Sequence, residues 1–533
     1  MARDCYIGVD VGTGSARAGV FDRAGRMLAS ARRDITLFRA AGSVVEQSSA
    51  EIWAAVCDCV RRAVAAAAVA PARIGGIGFD ATCSLVVLGQ GGAPLPVGPS
   101  GDPARDIIVW MDHRATYQAR RINATGHDVL RYVGGVISPE METPKLLWLK
   151  ENRRATFDAA WQFFDLTDFL TWKASGSLAR SICTVTCKWT YLAHEGRWDA
   201  GYFRAAGLEE FADEGFARIG TDVVAPGTAL GQGLTEQAAI AMGLPVGTPV
   251  AAGLIDAHAG GIGTVGATGS DPTANMAYVF GTSSCTMTTT RDPVFVPGVW
   301  GPYFSAMVPG FWLNEGGQSA AGAAIDQLLA LHPFAAEARG LAADAGQPLP
   351  VWLAGQAGDP SQAVRLAAGL HVVPEFLGNR APFADPDARA VIAGLGMEND
   401  LTSLVALYVA GLCGIGYGLR QIIAAQADAG APIERIMISG GAGASDLVRQ
   451  LLADATGTEV VAARATEPVL LGAAILGAVA GGGFADIVTA MAAMSAPDRS
   501  FAPATGEEAT QHARRFDAFT RLQALARDLR GSE

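Results

Sequence analysis

The chain has 533 residues, 50% of them hydrophobic and only 17% charged, with 65 glycines and a formal net charge of −12. That length exceeds what one hydrophobic core serves, so two or more domains are expected, of a globular α/β kind rich in turns. The acidic balance argues against a nucleic-acid or anionic-membrane footprint.

Taken in chain order, residues 6–10 and 16–22 read as strands joined by a Gly/Thr/Ser turn, with a third strand at 27–36. Ser48 and Ser49 are candidate caps for a helix that follows. Residues 74–89 (IGGIGFDATCSLVVLG) give two more strands around a turn. A Pro/Gly-rich insert at 91–103 leads to IIVWMDHRA and then to helices through Trp172. Residues 221–249 are turn-rich and end at an apolar strand, VAAGLID (250–256), which marks the expected domain junction. A second hairpin spans 277–290, helical stretches surround 322–331 and 401–426, IMISG (436–440) is a short strand, and 512–529 closes the chain as a helix. The uncharged stretches 403–419 and 468–485 approach membrane length. Their dilution by Gly and Ala and lack of aromatic belts or basic flanks read instead as buried helices.

Eight cysteines are scattered without a CxxC pair, which fits a reducing cytoplasm better than a disulfide scaffold. MARDCYIGVD enters a strand at once, so no secretory signal is expected.

The segments YIGVDVGTGSARAGVFD and NMAYVFGTSSCTMTTT look like versions of one device. Each is a strand, a small-residue turn and a second strand, which aims backbone N–H groups and hydroxyls at one spot and suits a phosphate. Two unrelated hairpins are the plain alternative. One such hairpin per half implies a polyphosphate between related domains. Thr13, Gly14, Ser15 and Arg17 belong to the first turn, and Gly281, Thr282 and Ser283 to the second. Asp10, at a strand end, is placed to hold Mg²⁺ through water, and Arg17 to pair with a phosphate oxygen. Neither turn is a P-loop.

DVGTGSAR, VAAGLIDAHAGGIG, VFGTSS and ISGGAGASDLVRQLLAD, in this order, resemble the FGGY family of carbohydrate kinases, as does TPKLLWLKEN. The resemblance covers roughly residues 5–480. It implies an α/β, two-domain actin/hexokinase/Hsp70-like (ribonuclease H-like) fold, with ATP and a sugar in the central cleft. The halves are expected at 1–265, carrying sugar and catalytic base, and 266–533, carrying the nucleotide.

Asp256 matches the family's catalytic base. A carboxylate at a strand end suits the need for a proton acceptor at a sugar hydroxyl, the alternative being a helix-capping Asp. His258 reads as a core or cleft histidine, with no second His or Cys at ligand spacing in sequence. GIGTVG (261–266) fits GxGxxG formally and reads as helix packing. Gly440, Gly441 and Gly443 let backbone approach a base or ribose, and Ser445 is a candidate cap for the next helix; by resemblance this is the adenosine motif.

The resemblance places Thr82, Cys83 and Ser84 in the loop lining the sugar pocket, in a form nearest ribulokinases. It also places Trp110, Lys188 and Glu315 against the substrate, the alternatives being a core Trp and two surface charges. The implied reaction is ATP- and Mg²⁺-dependent conversion of D-ribulose to D-ribulose 5-phosphate. L-ribulose or another polyol within the family, and a sugar-free actin/Hsp70-like ATPase switch outside it, are the competing readings. Homo-oligomerisation is left open.

Overall fold

The computed structural model describes residues 3–267, 269 and 271–531. Two sheets of matching topology organise it. In the first, the strand Cys5–Val11 pairs antiparallel with Ser15–Asp22, which pairs antiparallel with Met27–Asp34. On its other side it pairs in parallel with Ile74–Ala81, which is flanked in parallel by Leu254–Ile255. The second sheet repeats the plan. Asn275–Phe280 pairs antiparallel with Ser284–Thr290 and then Trp312–Gln318, and in parallel with Arg435–Ser439 and then Glu459–Ala463. The hairpin repeat seen in the sequence is thus the visible part of a whole repeated sheet.

The first strand is buried at every residue, as expected where both sheet faces are covered. One face carries the helix Ser49–Ala66, capped by the Ser48 hydroxyl, which accepts from the Glu51 N–H. The other carries Pro468–Ala480, a helix from late in the chain that packs on the first sheet and on Asp256–Val265. This seam is closer than side chains allow. A Cβ on Gly263 would stand 2.1 Å from the Pro468 carbonyl oxygen, and one on Gly472 would stand 1.9 Å from that of Ala259. GIGTVG is therefore helix packing.

Two extents differ from expectation. The strand 250–256 is reduced to Leu254–Ile255 and isolated bridges at Val250 and Ala251, and Asp256 already begins a helix. The last helix runs over Gly506–Gly531 and is anchored by His512, Arg515, Phe519 and Gln523. The long apolar helix Leu401–Asp428 meets the length and composition of a membrane span, yet 72% of its most apolar window is buried inside the protein. It is a core helix against Gly322–Ala330 and Asp446–Thr456.

Candidate active site

Ligands of open α/β sheets gather at the carboxyl ends of parallel strands, and three carboxylates stand there. Asp10 is in register with Asp80 on the neighbouring parallel strand, and Asp256 follows the strand Leu254–Ile255 as the first residue of its helix. Asp80 is wholly buried, and neither of its oxygens has a well-formed hydrogen bond. Burial, then the charge of Asp10, push its pKa well up. Asp256 Oδ1 accepts from the Ala257 N–H at 2.7 Å. Enclosure, then the charge of Asp10, raise its pKa to about 6, against the pull of that N–H, His258 and Lys188.

Asp10 faces Arg17 across the hairpin. Arg17 Nε donates to Asp10 Oδ2 at 2.6 Å, and Nη1 lies 2.7 Å from Glu467 Oε2. Arg17 thus joins two carboxylates from distant parts of the chain while it also lines the cavity between the two turns. The turns themselves are alike: the Gly12 N–H donates to the Ser15 carbonyl at 3.1 Å, and the Gly281 N–H to that of Ser283 at 2.9 Å. Thr13, Arg17, Gly281, Thr282 and Ser283 line one cavity with Asp10 and Asp256; Gly14 and Ser15 do not reach it.

That cavity, about 290 Å³, also receives Thr82, Cys83, Trp110, Lys188 and Glu315. Trp110 Nε1 donates to Thr13 Oγ1 at 2.9 Å, tying the aromatic to the first turn. Ser84 lies behind the wall, where its hydroxyl accepts from the Trp110 N–H at 3.1 Å; it braces the pocket and does not line it. Lys188 ends the helix Ile182–Trp189, started by the Ser181 hydroxyl on the Cys183 N–H. Glu315 comes from the strand Trp312–Gln318 of the second half. Both are 5–6% exposed, so neither is a surface charge. Burial opposes both ionised forms, but Glu315 keeps the Lys188 pKa well above the usual range. Lys188, His258 and Arg380 in turn hold Glu315 at about 2.

Several wall residues escaped the sequence reading: Glu140, Cys285, Trp300 and Arg380. Lys188 Nζ sits 4.8 Å and the Arg380 guanidinium 5.6 Å from the Trp300 ring centroid. Glu140 Oε1 lies 3.2 Å from His113 Nε2. Glu140 and Arg380 arrive on loops, and Cys285 and Trp300 each lie at the start of a strand, Ser284–Thr290 and Trp300–Phe304. Asp80 carried a signal, since GFDATC ends a strand in a carboxylate as YIGVD does.

His258 is fully buried, as a core histidine is, and the fold brings two cysteines to it that its own sequence neighbourhood does not contain. Cys183 and Cys187, one helical turn apart, bring their sulfurs within 4.8 Å of each other and of an imidazole nitrogen. The i,i+4 spacing was legible; the facing helix was not.

A second cavity, about 420 Å³, shares Gly281 and Thr282 with the first and continues into the second half past Gly322, Val351, Leu412 and Gly441. Gly440 has φ +92°, and a Cβ there would lie 2.4 Å from the Phe280 carbonyl oxygen. Gly443 is buried below the turn, and Ser445 stands at the helix start without a capping bond from its hydroxyl, correcting that expectation.

The architecture is that of a two-domain sugar kinase, and comparison with known proteins agrees. Residues 5–263 match the FGGY family of carbohydrate kinases, N-terminal domain, and 276–481 the C-terminal domain. The chain belongs to the FGGY family of carbohydrate kinases. It is 48% identical to the human FGGY carbohydrate kinase domain-containing protein, over 92% of this chain and 91% of the human one. A Saccharomyces cerevisiae D-ribulokinase is 39% identical over 89% of this chain and 72% of the yeast one. The fold is shared with xylulose kinase from Rhodospirillum rubrum (TM-score 0.80, 22% identity, 98% and 99% covered). Glycerol kinase from Plasmodium falciparum is also similar (TM-score 0.78, 16% identity, 97% and 98% covered). The protein is an ATP-dependent sugar kinase, which sets aside the sugar-free ATPase switch.

Proposed function

We propose that the sugar is D-ribulose and the product D-ribulose 5-phosphate. The observation that carries the reading is the meeting of Lys188 from one half and Glu315 from the other in the cavity that holds Asp256. A chain of vicinal hydroxyls needs both donors and acceptors around it, and buried groups left unpaired by a smaller alcohol penalise that alcohol. The similarity to the yeast D-ribulokinase supports the same choice.

In this reading the terminal hydroxyl oxygen attacks the γ-phosphorus of ATP, the bond to the β,γ-bridging oxygen breaks, and ADP leaves. The hydroxyl proton passes to Asp256, whose pKa of about 6 leaves it ionised yet basic near neutrality. Thr13 and Ser283 line the first cavity and Thr282 borders both, and these three hold the phosphates, while Gly440, Gly441 and Gly443 shape the adenosine end. The oxygen-only pair Asp10 and Asp80, the latter with orphaned oxygens, fits a hard divalent cation. Mg²⁺ bound there with ATP would neutralise phosphate charge. Asp10 would hold it, and Arg17 fixes the orientation of that carboxylate. Closing the halves excludes water as a competing acceptor.

The test is ADP release in a coupled assay across D-ribulose, L-ribulose, D-xylulose, ribitol and glycerol. D-ribulose should give the highest kcat/KM. A clear preference for glycerol or xylulose would overturn the assignment.

A further inference from the structure

The helix Ile182–Trp189 reaches Glu315 twice. Its last turn carries Lys188, which lines the same cavity as Glu315 and acts on that carboxylate through its charge. Its first turn presents Cys183, whose sulfur lies 3.2 Å from His258 Nδ1, and His258 Nε2 lies 3.4 Å from Glu315 Oε2, within ion-pair distance although neither atom has a well-formed hydrogen bond. Cys183 is itself tied to the catalytic strand, accepting from the Ile255 N–H at 3.4 Å. All three side chains are at least nine-tenths buried. We infer that His258, braced by Cys183, is a positioning residue that orients the Glu315 carboxylate toward the sugar and couples it to the strand bearing Asp256. The inference rests on the reading of Glu315 as a sugar ligand.

The direction of the chain follows from the proton count. If the Cys183 proton stays on sulfur, it is donated to Nδ1, and the neutral ring carries its own proton on Nε2. If it moves to the ring, both nitrogens are protonated. In either state an N–H faces Glu315. Burial disfavours charge on the sulfur and the ring, yet Cys187 and His258 draw the Cys183 thiol down, while Cys183 and Glu315 lift His258. The imidazole N–H then faces Glu315 Oε2 while the buried Lys188 charge acts on the same carboxylate from the cavity wall, and together they favour one orientation. A carboxylate held this way meets a sugar hydroxyl without first losing rotamer freedom. A thiolate–imidazole metal site is the competing use of the same atoms. The direct sulfur-to-ring and backbone-to-sulfur contacts favour the hydrogen-bonded chain.

The experiment is steady-state kinetics with D-ribulose and ATP on the full chain. His258→Leu should raise the KM for D-ribulose about tenfold and change the KM for ATP much less. His258→Gln, whose amide can replace the Nε2–H, should restore most of the loss. The double variant His258→Leu/Glu315→Gln should be no worse than Glu315→Gln alone, because residues acting through one another are not additive. Additive effects, equal rises in both KM values, or a stoichiometric metal that His258→Leu abolishes would overturn the inference. If His258→Leu does not fold, Cys183→Ala against Cys183→Ser decides. The Ser hydroxyl can still brace the ring, so only Ala should raise the sugar KM, and equal behaviour of the two overturns the inference. Should Glu315→Gln leave D-ribulose kinetics unchanged, the sugar-site reading fails and takes this inference with it. A loss with Glu315→Gln but none with His258→Leu sinks the inference alone.

Discussion

Asp10 and Asp80 stand in register on neighbouring parallel strands, and their mutual repulsion extends to Asp256 just beyond the next strand. An ordinary aspartate titrates near pH 4, whereas Asp256 is raised to about 6. A base works only when unprotonated. The kcat/KM for sugar at saturating ATP should therefore be level above about pH 7 and fall as the pH drops through about 6, approaching tenfold per unit. A profile that stayed flat to pH 5 would remove Asp256 as the titrating base.

The two turns that frame the phosphate end should behave alike. Thr282→Ala should raise the apparent KM for ATP more than that for sugar, because Thr282 borders both cavities. Arg17→Ala should do the same and should also lower kcat, since Asp10 loses its 2.6 Å partner. Initial-rate grids in both substrates separate these effects. A change confined to sugar affinity in either variant would contradict the two-hairpin site.

Lys188 and Glu315 should decide which sugar is used. Lys188→Met and Glu315→Gln should each depress kcat/KM for D-ribulose by roughly 10²-fold or more, with the apparent affinity for ATP moving far less. Each change removes a charge from a buried position, so folded protein must be verified by circular dichroism. Full activity in both variants would place the sugar elsewhere.

Gly472 gives a prediction of opposite sign to ordinary helix behaviour. Replacing a mid-helix glycine by alanine normally stabilises by up to about 1 kcal/mol. Here the new methyl would stand 1.9 Å from the Ala259 carbonyl oxygen, so Gly472→Ala should destabilise by about 1–3 kcal/mol. Denaturant unfolding reads the difference, and a stabilised variant would show the seam to be loose.

The strand–turn–strand units were legible because alternating apolar runs and small-residue turns are local signals. So was Asp256, which combines a strand end with a helix start. The closed seam of Gly263 and Gly472 showed only as glycine in apolar helices, since the partner helix lies some two hundred residues away. Arg380 and Glu140 lie on loops, which carry no period, and Trp300 opens a short strand; the cavity all three complete exists only once both halves fold. Arg17 stands in the strand behind the turn and reaches the cavity, but its two carboxylate partners, one of them from position 467, could not be read from the local sequence.

The central claim is that the cleft transfers a phosphoryl group to the terminal hydroxyl of D-ribulose with Asp256 taking the proton. Phosphorus NMR of reactions with isotopically labelled D-ribulose, run beside Asp256→Asn, tests it most directly. The wild type should form a single phosphomonoester on C5, and the Asn variant should bind ATP yet form it on the order of 10²–10⁴ times more slowly. An ester on another carbon, no ester at all, or near-normal turnover by Asp256→Asn would contradict the account.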